Sequence, residues 1–137
     1  MFAWLERWWP RAQSSFGARG ESAAAKHLRG LGYRILARDL RTRLGELDII
    51  AIDGQTTVFV EVKTRASQEH GLPTDAITPD KQRRMTRAAL GYLKQHRLLD
   101  RPARFDVVAI TWPESGPAQI EHFKNAFEAT GADGMFS

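Results

Sequence analysis

The stretch Gly45–Arg65, GELDIIAIDGQTTVFVEVKTR, decides the fold. Leu47–Ile52 is almost wholly apolar, and Thr57–Val62 is equally rich in β-formers. Asp53-Gly54 between them is a strong two-residue hairpin signal. The segment therefore reads as two antiparallel strands. Asp48, Glu61 and Lys63 are set into it, although charges are normally kept out of apolar strands.

Side chains alternate along a strand, so their faces follow from the turn. With Asp53-Gly54 as a two-residue turn, Ile52 pairs with Gln55 and Asp48 lies opposite Phe59. Glu61 is then a diagonal neighbour of Asp48, about 7 Å away. A four-residue loop instead places Asp48 directly across from Glu61. In both registers Asp48, Glu61 and Lys63 share one face, and Val58, Val60 and Val62 line a buried one. Converging carboxylates repel each other unless a cation offsets them. Oxygen-only ligands favour Mg²⁺ or Mn²⁺ over Zn²⁺. An adjacent Lys suits phosphate chemistry, where negative charge develops in the transition state. The alternative is a solvated strand end whose charges face water.

The 137 residues suffice for one domain with one sizeable core. No Cys is present, which excludes disulfides, thiolate metal sites and a Cys nucleophile. No apolar run approaches the length of a membrane span. The first residues, MFAWLERWWP, are too short and too charged in their apolar part for a signal peptide. The expectation is a cytoplasmic chain with no membrane partner.

The net charge of +4 conceals blocks. Residues 1–44 and 78–104 each carry +6, whereas 45–77 and 105–137 each carry −4. An acidic hairpin between basic blocks suits a nuclease, with cations gripping phosphate and carboxylates holding metal. Arg-rich helices that are merely soluble are the plainer reading.

Residues 15–31 form a predicted helix with Gly17, Ala24, Leu28 and Leu31 on one stripe and Ala25 at its edge. Glu21 points into the same face. It suits either a metal site or the dipole of the helix start. His27 lies on the flank. Tyr33–Leu40 alternates as a strand, leading through Arg41 and Arg43 into the hairpin. Those arginines either contact phosphate or edge the sheet in water. Residues 66–77 read as a long polar loop beside the site, after Arg65.

Thr78-Pro79 opens a second helix as cap and first-turn proline. Its core stripe is Met85, Ala88, Ala89, Tyr92 and Leu93. Lys81 and Gln82 share that side and would reach a substrate phosphate. Arg83, Arg84 and Arg87 lie outside the stripe, as phosphate contacts or solvent face. Pro102–Trp112 and Gln119–Phe123 are the last strands. The order implies an α/β fold with a mixed sheet. The expected divisions are a Trp-rich extension (1–14), an α/β domain (15–127) and a disordered tail (128–137).

GARGESAAAKHL, RTRLGELDIIA, FVEVKTR, TPDKQRR and RFDVVAI, in that order, resemble the YraN family of bacterial proteins. The resemblance covers about residues 15–125. That family is related to archaeal Holliday-junction resolvases. The resemblance implies a restriction-endonuclease-like fold, with a central mixed sheet of about five strands flanked by helices and a PD-(D/E)xK site. By position it makes Asp48, Glu61 and the Val62 carbonyl the metal ligands, and Lys63 the charged partner of the attacking water or scissile phosphate. Glu21 matches a first-helix Glu of the resolvase-like site, and Glu46 is characteristic of the YraN type. Resolvase-like proteins are often dimers, so a homodimer is a further expectation.

Three functions follow as expectations. The first is a Mg²⁺-dependent endonuclease on structured or branched nucleic acid, DNA before RNA. The second is a nucleic-acid-binding protein of the same fold without turnover. The third is an interaction component that docks through the Trp-rich end and Leu90.

Overall fold

A computed structural model describes residues 15–67 and 73–130. The Trp-rich extension, residues 68–72 of the expected polar loop and residues 131–137 of the expected tail lie outside the described residues. Helix α1 spans Ser15–Gly30, followed by strands β1 (Arg34–Arg41), β2 (Glu46–Asp53) and β3 (Thr56–Ala66). A 3₁₀ turn, Pro73–Ala76, precedes helix α2 (Pro79–Gln95), and β4 (Ala103–Trp112) and β5 (Gln119–Phe127) complete the chain. The five strands lie in one sheet in sequence order. Only β3 and β4 run parallel; the other neighbours are antiparallel. This is an open mixed sheet of an α/β fold, as the element order implies.

Each helix covers one face. Ala24, Ala25 and Leu28 of α1 pack on Ile49, Ala51, Val58, Val60, Val108 and Ile110. Met85, Ala88, Ala89, Tyr92 and Leu93 of α2 pack with Ile50, Phe59 and Phe105 on the other. Apolar residues on both faces explain why the hairpin reads as a near-continuous apolar run. Small side chains bring α1 close: a Cβ on Gly20 would stand 1.9 Å from Thr64 Oγ1 of β3.

Both helices end in Schellman motifs. In α1, Tyr33 N–H donates to the Leu28 carbonyl and Gly32 N–H to that of Arg29, with Gly32 at φ +91°. Leu31 is therefore a cap, and it is exposed rather than part of the predicted stripe. In α2, Arg97 takes the same left-handed position at φ +56°, and Leu98 N–H donates to the Leu93 carbonyl.

The hairpin register corrects the two-residue Asp53-Gly54 turn. Asp53 pairs with Thr56, Ile52 with Thr57 and Ile49 with Val60. The turn residues are Gly54, at φ +63°, and Gln55. This is the register of the four-residue alternative. Strands β3 and β5 also run beyond their expected ends, because β4 pairs with β3 as far as Ala66 and with β5 as far as Phe127.

Candidate active site

The β2–β3 ladder stops at Ile49↔Val60, and one further step places Asp48 across from Glu61. There a side chain takes over from the backbone: Asp48 Oδ2 accepts the Val62 N–H at 2.9 Å. The strands part beyond this point, and both carboxylates sit in the notch. Asp48 is 7% exposed and Glu61 5%. Glu61 lies on the α2 face, alternating with Phe59, and half-buried Lys63 follows on that side of the strand.

The helix start is what brings a cation to Glu61. Thr78 caps α2, its Oγ1 accepting the Lys81 N–H at 3.2 Å, and Pro79 begins the first turn. Lys81 then hangs over β3, with Nζ 2.5 Å from Glu61 Oε2. Burial, and then the neighbouring Asp48 carboxylate, push the Glu61 carboxyl up from 4.5 to about 7. The Lys81 ammonium pulls it back down, and a hydrogen bond to Asp48 favours its protonated form. A pocket of about 150 Å³ opens here, lined by Gly45, Glu46, Glu61, Lys81, Arg84 and Met85. Glu46 is therefore a groove residue, reaching the same space as Glu61.

The other candidates divide. Glu21 is buried but lies on the α1 side, where Arg38 Nε donates to Glu21 Oε1 at 3.2 Å. It falls outside the first turn of α1, so the helix dipole does not account for it. Gln82 spends its side-chain amide on the Ile77 carbonyl at 3.0 Å. Arg83 and Arg84 pair with Asp80 on the exposed helix surface, and Arg87 is exposed. Arg41 pairs with Glu46 at 3.1 Å. Arg65 donates to Thr111 Oγ1 at 3.3 Å and lies 3.8 Å from Glu121. Arg43 is exposed. The basic residues thus lie on several elements, β1, the β1–β2 turn, β3 and α2.

Among the described residues no three His, Asp or Glu side chains close around one point. Asp48 and Glu61 nevertheless fit a hard divalent cation. Both are oxygen donors, they are buried together, and their mutual repulsion is offset only in part by Lys81. Mg²⁺ characteristically takes one or two carboxylates and keeps several waters, so a pair suffices. The Val62 carbonyl adjoins the amide that holds Asp48.

A model of the uncharacterised protein family UPF0102 matches residues 20–110, the span that contains most of α1, β1, the hairpin, α2 and most of β4. The chain belongs to this family. A UPF0102 protein of Geobacter metallireducens is 53% identical over 114 residues, covering 83% of this chain and 93% of that protein. One of Geotalea uraniireducens is 51% identical over 114 residues, covering 83% and 90%. One of Rhodopirellula baltica is 45% identical over 127 residues, covering 90% and 76%. The YraN resemblance is thereby shown at the level of the family. Every residue of the notch, Glu46, Asp48, Glu61, Lys63 and Lys81, falls inside the matched span of this UPF0102 chain.

One buried polar network was not legible in the sequence, although Asp106 stands out there as a charge interrupting its strand. Asp106, fully buried in β4, accepts from Arg104 Nε at 2.9 Å, His122 Nε2 at 2.8 Å and the Asn125 N–H at 2.9 Å. Arg104 reaches on to Asp53 and to the Tyr33 hydroxyl. The signal available was a charge inside RFDVVAI, the same kind that marks Asp48 in its strand.

Proposed function

We propose that this UPF0102 protein is a divalent-metal-dependent nuclease of the resolvase-like, restriction-endonuclease-like class, acting on structured or branched nucleic acid, DNA before RNA. The single observation that carries the reading is the notch itself. Two carboxylates, Asp48 and Glu61, are buried face to face where the hairpin ladder opens, with Lys63 following on the same side of β3. Burying like charges is unfavourable without a compensating function. Clusters of this kind concentrate at working sites.

Asp48 and Glu61 would hold Mg²⁺ or Mn²⁺ with the Val62 carbonyl. When bound, that cation supplies Lewis acidity and charge neutralisation for phosphodiester hydrolysis. Asp48 is pre-positioned by its bond to the Val62 amide, so its orientation survives without ligand. Lys63 places an ammonium where charge accumulates on the phosphoryl oxygens. Arg41, Arg43, Arg65, Arg83, Arg84 and Arg87 grip flanking phosphates, whereas Gln82 serves the α2 start. Glu21, on the far face beside Arg38, acts on the packing of α1.

The test is a cleavage assay over branched, flapped and linear DNA and RNA with Mg²⁺ or Mn²⁺. Lys63→Ala should reduce cleavage by about 10²–10³-fold, the usual loss on removing one charge-stabilising donor, while binding persists. Salt-sensitive binding with no cleavage under any divalent ion would leave a binding protein in place of the enzyme.

A further inference from the structure

We propose that Lys81 stands in for the divalent cation at Glu61, so that the metal and the Lys81 ammonium exclude each other there. Metal binding then releases Lys81 into the groove, where it meets a substrate phosphate. The inference rests on the metal reading above and adds a residue that controls it.

Three observations carry it. Glu61 Oε2, on a carboxylate 5% exposed, is already taken by Lys81 Nζ at 2.5 Å. A divalent ion on that carboxylate brings two positive charges beside an ammonium already in contact with it, and like charges so close repel. The backbone of Lys81 is fixed independently of Glu61, by the Thr78 cap and Pro79, so only the side chain has to move. That side chain is 35% exposed and lines a pocket of about 150 Å³ with Glu46, Arg84 and Met85. Four flexible carbons allow an ammonium to swing from carboxylate to groove without disturbing the helix. Met85, four positions beyond Lys81 on the same helix, stays buried in the α2 core.

In the metal-free protein the pair relieves part of the Asp48–Glu61 repulsion. With metal bound, the charge on Lys81 becomes available to an anion beside the site. Lys81 is therefore a competitor of the metal and then a binding residue for phosphate, in that order.

The test is Mn²⁺ binding to the full chain, read from the electron paramagnetic resonance signal of free Mn²⁺. Lys81→Met keeps the stem and removes the competitor, and should bind Mn²⁺ about tenfold more tightly than wild type. Arg84→Met removes a positive charge from the same groove without touching Glu61, and should change affinity less than threefold. Lys81→Gln repeats the measurement should the Met variant fail to fold by circular dichroism. Equal Mn²⁺ affinity in wild type and both Lys81 variants overturns the exchange, as does an equal gain in Arg84→Met. The double variant Asp48→Asn, Glu61→Gln separates the two readings. If wild-type binding disappears in it, the metal site stands even where the exchange fails. If Mn²⁺ binding is absent from wild type, or survives in the double variant, both readings fall.

Discussion

Glu61 shows how one carboxylate is poised by its surroundings. Its folded-state carboxyl lies at about 7 against an ordinary 4.5, raised by burial and by Asp48. The folded protein thus holds this proton more tightly than the unfolded chain. The stabilisation is complete below about pH 4.5 and disappears as pH rises through 7. Urea midpoints should therefore fall between pH 5 and 8 in metal-free buffer. Glu61→Gln should flatten that slope, and Mg²⁺ should restore stability above pH 7 in wild type alone, because a ligand of the native state stabilises by mass action. A slope unchanged in Glu61→Gln would assign the titration elsewhere. Asp106 behaves in the opposite sense. Burial would raise its carboxyl, but hydrogen bonds from His122, Arg104 and the Asn125 amide hold it below the ordinary 3.8. Its contribution is present at neutral pH and is lost as pH falls below 3.8.

At the scale of elements, the site depends on two placements: the end of the β2–β3 ladder and the start of α2. The Thr78 cap sets the second. Thr78→Ala should cost about 1 kcal/mol of stability and weaken the hold of Lys81 on Glu61, measurable as a lower thermal midpoint and tighter Mn²⁺ binding together. The close seat of α1 is tested separately. Gly20→Ala drives a methyl into Thr64 Oγ1, 1.9 Å from the ideal Cβ. It should cost about 1–3 kcal/mol, the usual penalty of overpacking. Thr64→Ala should recover much of that in the double variant, because the two changes share one contact. Additive losses in the cycle would show that the clash lies with another atom.

Over the whole molecule, charge and buried polar groups tie distant strands together. Arg104 and Asp106 on β4, Asp53 at the hairpin end, His122 on β5 and Tyr33 before β1 form one connected set. Asp106→Ala would leave Arg104 and His122 without their shared acceptor. A loss of about 3–5 kcal/mol is expected, as for breaking a buried ion pair, and chemical denaturation measures it. The basic blocks act at longer range. Nucleic-acid affinity should fall steeply with salt, in proportion to the phosphates neutralised, and a flat salt dependence would set aside the Arg-rich surfaces as a binding footprint.

Much of this architecture was legible because local chemistry announces it. Alternation and β-branching marked the strands, Thr78-Pro79 marked the start of α2, and Gly30 and Gly32 marked the end of α1. Asp48, Glu61 and Lys63 stood out because charges inside apolar strands have few reasons to be there. The turn was misplaced by one residue, since Asp53-Gly54 and Gly54-Gln55 are both competent turns and only pairing along the sheet selects between them. The network of Asp106 was not foreseen because its partners, Arg104 apart, lie on β5.

The order of residues by itself determined the elements, the shared face of Asp48, Glu61 and Lys63, and the blocks of charge, because each follows from periodicity over a few neighbours. Tertiary structure alone decided that Lys81 meets Glu61, that Glu21 turns to Arg38 on the opposite face, and that Asp106 gathers β4 and β5. Such contacts join residues far apart in the chain, and no local pattern encodes which long-range partner a buried charge will find when the sheet closes and the helices settle on its two faces.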